Sequence, residues 1–288
     1  MPRPLDHPVL ASHDLAAQAQ FYLRLGFQVS LRNRHPWGTE NHIVQLPNAF
    51  LELIGLGAEF APPASEAASA PFAGFLAQYL AKREGLAMLA LRSADAASDA
   101  AAFAALGVGV GAPFHFERRG KRMDGGETHV AFTLAFAGSK LIDEAGFFAC
   151  QHHHPENFWN AASQVHPNTA QRLISVVMVA ENPSAHAEFL SHFTGEREML
   201  ATSMGIEIDT GGGRIEVLTP LAYQFRFGHA PLSDAPHLAA YRIAVADMPA
   251  LFACLDDAQI AVARHGALAV VPPQSAFGAA IVFEPDAA

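Results

Sequence analysis

The sequence predicts an α+β protein made of four βαβββ modules, and three observations carry that prediction. The stretch from Leu5 to Leu56 runs as one strand, one helix and three more strands. That order returns three times further along the chain. Each helix is headed by a residue whose short side chain suits an N-cap: Asp14, Asp95, Asn182 and Asp247.

In the first module, the run from Asp6 to Ser12 is apolar apart from His7 and reads as a strand. Asp14 then caps a helix whose Leu15, Ala19, Tyr22 and Leu23 recur at helical spacing, and Gly26 stands where a helix ends. Strands are expected around Phe27 to Leu31, over HIVQL after the polar loop RHPWGTE, and over AFLELIG after a turn at Pro47 and Asn48. An Ala-, Pro- and Ser-rich loop over 57–81 overlaps a linking helix at 72–84, whose apolar residues keep helical spacing.

The second module has LAMLALRS as its strand, an Ala-rich helix at 94–106 ending at Gly107, and strands in VGVGAPFHFERR, ETHVAFTLAF and GFFACQHH. Residues 153–170 read as a connector, with turns at Pro155 and Pro167. In the third module LISVVMVA is followed by Asn182, Pro183 and a helix to Gly195, then by GIEIDT and RIEVLT joined through Gly211, Gly212 and Gly213. The fourth sets Asp247 and MPALFACLDDA between PHLAAYRIAVA and three closing strands. The expected division is residues 1–152, the connector 153–170, and residues 171–288.

Composition narrows the partners. At 288 residues and 51% hydrophobic against 16% charged, the chain has ample material for a full core. A net charge of −10 leaves no basic stripe for nucleic acid or an anionic membrane surface. No run approaches the roughly 20 apolar residues of a membrane span, and no secretory signal pattern opens the chain. The expectation is a cytoplasmic protein, monomer or homodimer, that handles a small molecule. Cys150 and Cys254 read as reduced thiols.

Two residues of the first module are physically odd. Alternation places Glu52 on one face of its strand with Phe50 and Ile54, among apolar side chains. Burying an unpaired carboxylate costs several kcal/mol, so a cation, a proton or a metal must meet it. His7 is a candidate partner through a shared metal ion.

The segments LDHPVLASHDLAAQAQFY, RHPWGTENHIVQL, FLELIG and FFACQHHHPENFW resemble the glyoxalase-like-domain branch of the vicinal oxygen chelate superfamily over nearly the whole chain. The resemblance implies two domains of the glyoxalase, bleomycin-resistance and dioxygenase type. In each, two modules pair into a cupped mixed sheet with ligands on its concave face. It implies a divalent metal (Zn, Ni, Fe or Mn) and no nucleotide cofactor, with His7 matching the first-strand ligand and Glu52, also the candidate catalytic group, the last-strand ligand. In the partner module Cys150 falls opposite Glu52 and His152 two residues on, while the equivalent of His7 falls near Met88, a poor ligand for a hard cation. The resemblance thus leaves two arrangements open: a metal on His7, Glu52 and His152 with open water positions, or a metal-free pocket. In the second half the same positions fall near Ser175 and at Glu216, a degenerate copy in which Glu216 pairs with Arg214 or solvent.

Other residues qualify as substrate contacts. His35, Trp37, Thr39 and Asn41 crowd one inter-strand loop, as pocket rims do. Arg118, Arg119, Lys121 and Arg122 form the one basic cluster of an acidic chain, with Arg118 suited to clamping a carboxylate. Trp159 and His166 of the connector are placed to fold over the cup.

The function implied is a metal-dependent lyase, isomerase or extradiol-type dioxygenase acting on vicinal oxygens. The rival is a binding or resistance protein that uses the same cup without chemistry.

Overall fold

In the computed structural model, which describes residues 2–121 and 126–286, the strands form two eight-stranded mixed sheets. The first module is β1 (Leu5–Ala11), α1 (Leu15–Arg24), β2 (Asn33–Arg34), β3 (Thr39–Gln45) and β4 (Phe50–Leu56). A π-helical turn over Ala70–Gly74 and α2 (Phe75–Leu80) lead into β5 (Gly85–Arg92), α3 (Ala96–Ala105), β6 (Phe114–Lys121), β7 (Glu127–Ser139) and β8 (Ile142–His152). Strand order in this sheet is β2-β3-β4-β1-β5-β8-β7-β6. The two modules therefore join through their first strands, which pair antiparallel.

The second sheet repeats the plan. After α4 (Pro155–Phe158) come β9 (Ala170–Val179), α5 (Ala187–Thr194), β10 (Leu200–Thr202), β11 (Gly205–Asp209) and β12 (Arg214–Leu218). Then follow α6 (Pro220–Phe227), β13 (His237–Val245), α7 (Met248–Asp257), β14 (Ala263–His265), β15 (Leu268–Val271) and β16 (Ala280–Pro285). Its order, β10-β11-β12-β9-β13-β16-β15-β14, matches the first sheet strand for strand. The architecture is α+β, two curled mixed sheets carrying helices.

Local chemistry accounts for most of the boundaries. Asp14, Asp95 and Asp247 each accept a backbone N–H of the first helical turn, worth about 1 kcal/mol apiece. Asn182 does not: its side chain makes no capping bond, and a 3-10 turn over Pro183–His186 starts the helix instead. Two further details depart from the sequence reading. The strand expected near 27–31 is displaced to Asn33–Arg34, because Ser30 instead ties its N–H to Ile43 and its hydroxyl to the Ile43 N–H. Helix α6 was not anticipated, although Thr219 caps it, Pro220 opens it and Gly228, at φ +78°, closes it.

One continuous core joins the two halves. Tyr22, Phe103, Phe193 and Leu251, one from each of α1, α3, α5 and α7, pack with strand residues of both sheets. Within it the hydroxyls of Tyr22 and Tyr241 hydrogen-bond each other. Two separate apolar clusters line the other face of each sheet. The first is rich in aromatic rings around Phe72, Phe132, Phe136 and Phe148. The second is built on Tyr223 and Phe227 of α6.

Candidate functional site

Strands β1 and β4 run parallel in a register that sets Val9 beside Glu52. His7 and Glu52 thereby come to one face, with His7 Nε2 at 3.7 Å from Glu52 Oε2. Behind His7 stands its own sequence neighbour, Asp6. A register shift between Leu5 and His7 bulges β1 at Asp6. A bulge breaks strict alternation, and here it lets the Asp6 carboxylate reach the ring of its own neighbour. Asp6 is fully buried and accepts from His7 Nδ1 at 2.7 Å, His152 Nε2 at 3.1 Å and Arg92 Nε at 3.2 Å. Burial would raise its pKa, but the imidazoles of His152 and His7 outweigh that and hold it far below the ordinary carboxylate range. An ionised Asp6 fixes the proton of His7 on Nδ1 and leaves Nε2 turned to Glu52, an orientation that outer carboxylates commonly impose on histidines.

Glu52 is the opposite case. Burial raises its pKa, and the charge of His7, the Asn41 amide and the charge of Arg118 only partly offset this. Asn41 Nδ2 donates to Glu52 Oε1 at 2.5 Å and lies 3.4 Å from His35 Nε2. His35 Nδ1 meets Thr39 Oγ1 at 2.8 Å, so Thr39 orients His35 from behind. Burial, then the nearby Arg118 charge, pushes the His35 pKa down to about 3, leaving that ring neutral at physiological pH.

These side chains border a small cavity whose free space, counted together with the solvent open to it, is about 410 Å³. His7, His35, Asn41, Glu52, Arg118 and Cys150 supply its polar and sulfur lining, and Trp37, Phe50, Phe72, Phe116, Phe132, Phe148 and Phe158 its aromatic walls. His7 stacks on Phe50 at 4.0 Å, and His35 on Trp37 at 4.5 Å. Three buried polar atoms of the lining have no partner in the protein: Trp37 Nε1, Asn41 Oδ1 and Arg118 Nε. Unmet buried donors and acceptors cost about 1–3 kcal/mol each, which suits a wall waiting for a ligand. Cys150 is buried, and burial together with the charges of Asp6 and Glu52 raises its thiol pKa well above normal. It is an inert wall rather than a thiolate.

Several expected residues lie elsewhere. His152 turns Nε2 onto Asp6, where the buried carboxylate holds it, and does not border the cavity. His166 uses both nitrogens structurally, Nδ1 accepting from the Gln28 N–H and Nε2 donating to the Gln45 carbonyl, and so anchors the connector instead of touching the cavity. Trp159 borders an outer groove and stacks loosely on His152. Met88 sits opposite Val9, and it is Ala90 that pairs with His7. Arg119 is exposed, while Arg122 and the side chain of Lys121 lie outside the described residues. The residues that sequence reasoning missed are Asp6 and the phenylalanine walls. The Asp-His pair was a visible signal for the first; the six phenylalanines, drawn from six elements, had none.

The donor set decides how a metal would fare. Among the described residues, the one trio of His, Cys, Asp or Glu whose donor atoms all lie within 4.8 Å is Asp6, Cys150 and His152. Its carboxylate is already engaged by two imidazoles and a guanidinium. At the cavity Glu52 stands between two imidazoles, His7 Nε2 at 3.7 Å from Oε2 and His35 Nε2 at 3.8 Å from Oε1, the number of protein ligands a resident catalytic ion usually has. These donor types suit such an ion, but the three atoms do not all lie within 4.8 Å of one another and so do not close on one as they stand.

In the second sheet, Glu216 stands beside Val177 of β9. Ser175 donates to it, and Arg226 and Arg242 both pair with it, Arg242 at 2.6 Å. Arg214, the expected partner, pairs with Glu207 at 3.2 Å instead. No helix among the described residues is long and apolar enough to cross a membrane.

The sequence matches the glyoxalase-like domain over residues 5–194, and no functionally curated protein matches it. A hypothetical protein from Staphylococcus aureus, 13% identical, covers 99% of this chain and 100% of its own at a TM-score of 0.70. A triple mutant of 4-hydroxymandelate synthase from Streptomyces coelicolor, 14% identical, covers 92% and 77% at 0.51. A fusion protein of a xylose isomerase-like TIM barrel with 4-hydroxyphenylpyruvate dioxygenase, 13% identical, covers 100% of this chain and 50% of its own at 0.53. At these identities the structural likeness speaks to fold alone. With its paired βαβββ modules and a match spanning most of its length, this chain belongs to the glyoxalase-like domain family of the vicinal oxygen chelate superfamily.

Proposed function

We propose that this protein is an enzyme that moves a proton on a small, oxygen-rich anionic substrate, with Glu52 as the base. The observation that carries this reading is a carboxylate of raised pKa, buried in an aromatic cavity and held between an amide and an imidazole. A raised pKa makes Glu52 a stronger base than an exposed carboxylate, nearer the range where proton transfer at neutral pH is efficient. Asn41 aims one of its oxygens and His7 faces the other. Asp6 keeps the His7 ring in place and stabilises any positive charge that ring acquires. Arg118 is placed to meet a substrate carboxylate or the negative charge that grows on an adjacent oxygen when the proton leaves. Return of the proton to a neighbouring atom gives an isomerisation. No step requires a metal.

The test is solvent exchange. Phenylpyruvate offers an aromatic ring, two adjacent oxygen functions and an acidic C–H, and its exchange in D2O is followed by NMR. The protein is expected to accelerate wash-in of deuterium, and Glu52→Gln to lower that rate by about 10²–10⁴-fold. Saturable binding with no exchange favours the rival, a binding protein using the same cavity. One divalent ion per chain by elemental analysis, lost in His7→Ala, would overturn the metal-free mechanism.

A further inference from the structure

The cavity has a neighbouring groove. Ile43, Arg118 and Phe158 border both the aromatic cavity and this outer groove of about 950 Å³ of open space, so the two volumes lie side by side with these three side chains between them. The linings differ in kind. Seven aromatic rings wall the inner volume. The groove instead offers hydroxyls and amides, from Ser30, Asn33, Gln45, Thr128, Asn160 and Ser163. Among the described residues Arg118 is the one cation lining that groove, and it lines the cavity too, with Nη1 held by Asn33 Oδ1 at 2.7 Å and Nε without a protein partner. The outer wall is the connector, stapled to β3 by Gln45, which donates to the Phe158 carbonyl and accepts from the Asn160 N–H. The groove is therefore a fixed feature of the fold, held at both ends of one side chain.

We infer that the substrate is a two-part molecule, with a planar apolar head in the cavity, an anionic group at Arg118, and a neutral hydroxyl- or amide-rich tail in the groove. This rests on the proposed role of the cavity and adds the substrate class. A compact acid would fill the inner volume and leave the groove to water. A neutral tail suits it best, because among the described residues Glu156 is the one other charged residue lining the groove and would repel a second anion. Hydroxyls and amides recognise such a tail by direct and water-bridged hydrogen bonds, each modest and together specific.

The experiment compares two probes by calorimetry: salicylate, which supplies the head and the anion, and salicylate 2-O-β-glucoside, which adds a neutral polyol at the adjacent position. The glucoside is expected to bind about 10-fold more tightly than salicylate, as two or three added hydrogen bonds would give. Ser163 is half-buried on the connector and its side chain shares the groove, so Ser163→Trp blocks the tail without touching the cavity. That variant is expected to keep salicylate binding and lose the glucoside's advantage, while Arg118→Gln weakens both probes. Equal affinity of the two probes, or an advantage that survives Ser163→Trp, overturns the groove assignment and leaves the cavity reading standing. Failure of both probes to bind the folded wild-type protein removes the cavity reading and the groove with it.

Discussion

The two sheets have the same strand order and place a glutamate at the same register, yet they put opposite things around it. Glu52 sits beside Val9, two residues after His7, and Glu216 beside Val177, two residues after Ser175. On the neighbouring strand Ala90 faces His7, whereas Arg242 faces Ser175. A permanent cation thus replaces a methyl group, and Glu216 becomes one member of an ion-pair network with Arg226, Arg242 and Glu284. Helix α6 then fills the second cup with Tyr223 and Phe227. The corresponding link in the first domain, the turn at Ala70–Gly74 with α2, supplies Phe72 to the cavity wall and leaves space in front of Glu52. A buried carboxylate is inert when arginines neutralise it, and becomes a base when its neighbours are an amide, an imidazole and an opening.

The sharpest way to break this comparison is the same substitution in both cups. Glu52→Gln is expected to abolish most proton exchange with little loss of stability, since it removes a charge that burial disfavours. Glu216→Gln should leave exchange unchanged and destabilise the fold by up to about 3 kcal/mol, read by urea unfolding, because Arg242 is left with Glu284 alone and Arg226 loses its carboxylate. Equal effects of the two on stability would show that the cups differ less than their contacts suggest.

Arg118→Gln follows in size. It is expected to raise the dissociation constant of an anionic ligand about 10- to 100-fold, the worth of one hydrogen-bonded charge. Arg242→Gln, in the other cup, should leave that constant unchanged in whatever fraction stays folded.

A third effect depends on pH. His35 titrates near 3 in the folded protein against an ordinary value of 6.5, so the unfolded chain takes up the proton first. Its contribution to stability is complete above pH 6.5 and is lost as pH falls toward 3, at roughly 1.4 kcal/mol per unit. Glu52 acts with the opposite sign: its pKa is raised in the folded state, so acidification through that value removes a penalty. The difference in unfolding midpoint between wild type and His35→Gln should therefore shrink as pH falls through this window. A pH-independent difference would place solvent around His35.

The smallest expected effect is at Tyr223, whose buried hydroxyl has no partner. Tyr223→Phe should be neutral or stabilising by up to about 1 kcal/mol, a shift of a few degrees at most in Tm. A clear loss of stability would mean that the second cup keeps a polar contact, and that it is less completely filled than the first comparison holds.

Much of this architecture was legible in the sequence because it depends on local signals. Asp14, Asp95 and Asp247 cap helices, Gly195 closes one at φ +75°, and alternation brought Glu52 to a buried face. These are properties of a few consecutive residues, and the strand-helix order they mark repeats four times. What only the tertiary structure decided were the relations that local periodicity does not encode. A single bulge turned Asp6 behind His7 and drew His152 onto it, dismantling the expected His7, Glu52 and His152 set. His166, an apparent lid residue, was spent on two backbone groups far away in sequence. The fate of Glu216 was set by Arg242, which lies 26 positions away and reaches it only because β13 pairs with β9. Sequence spacing determines which face a side chain takes, but the charge, donor or space that meets it there is supplied by other strands.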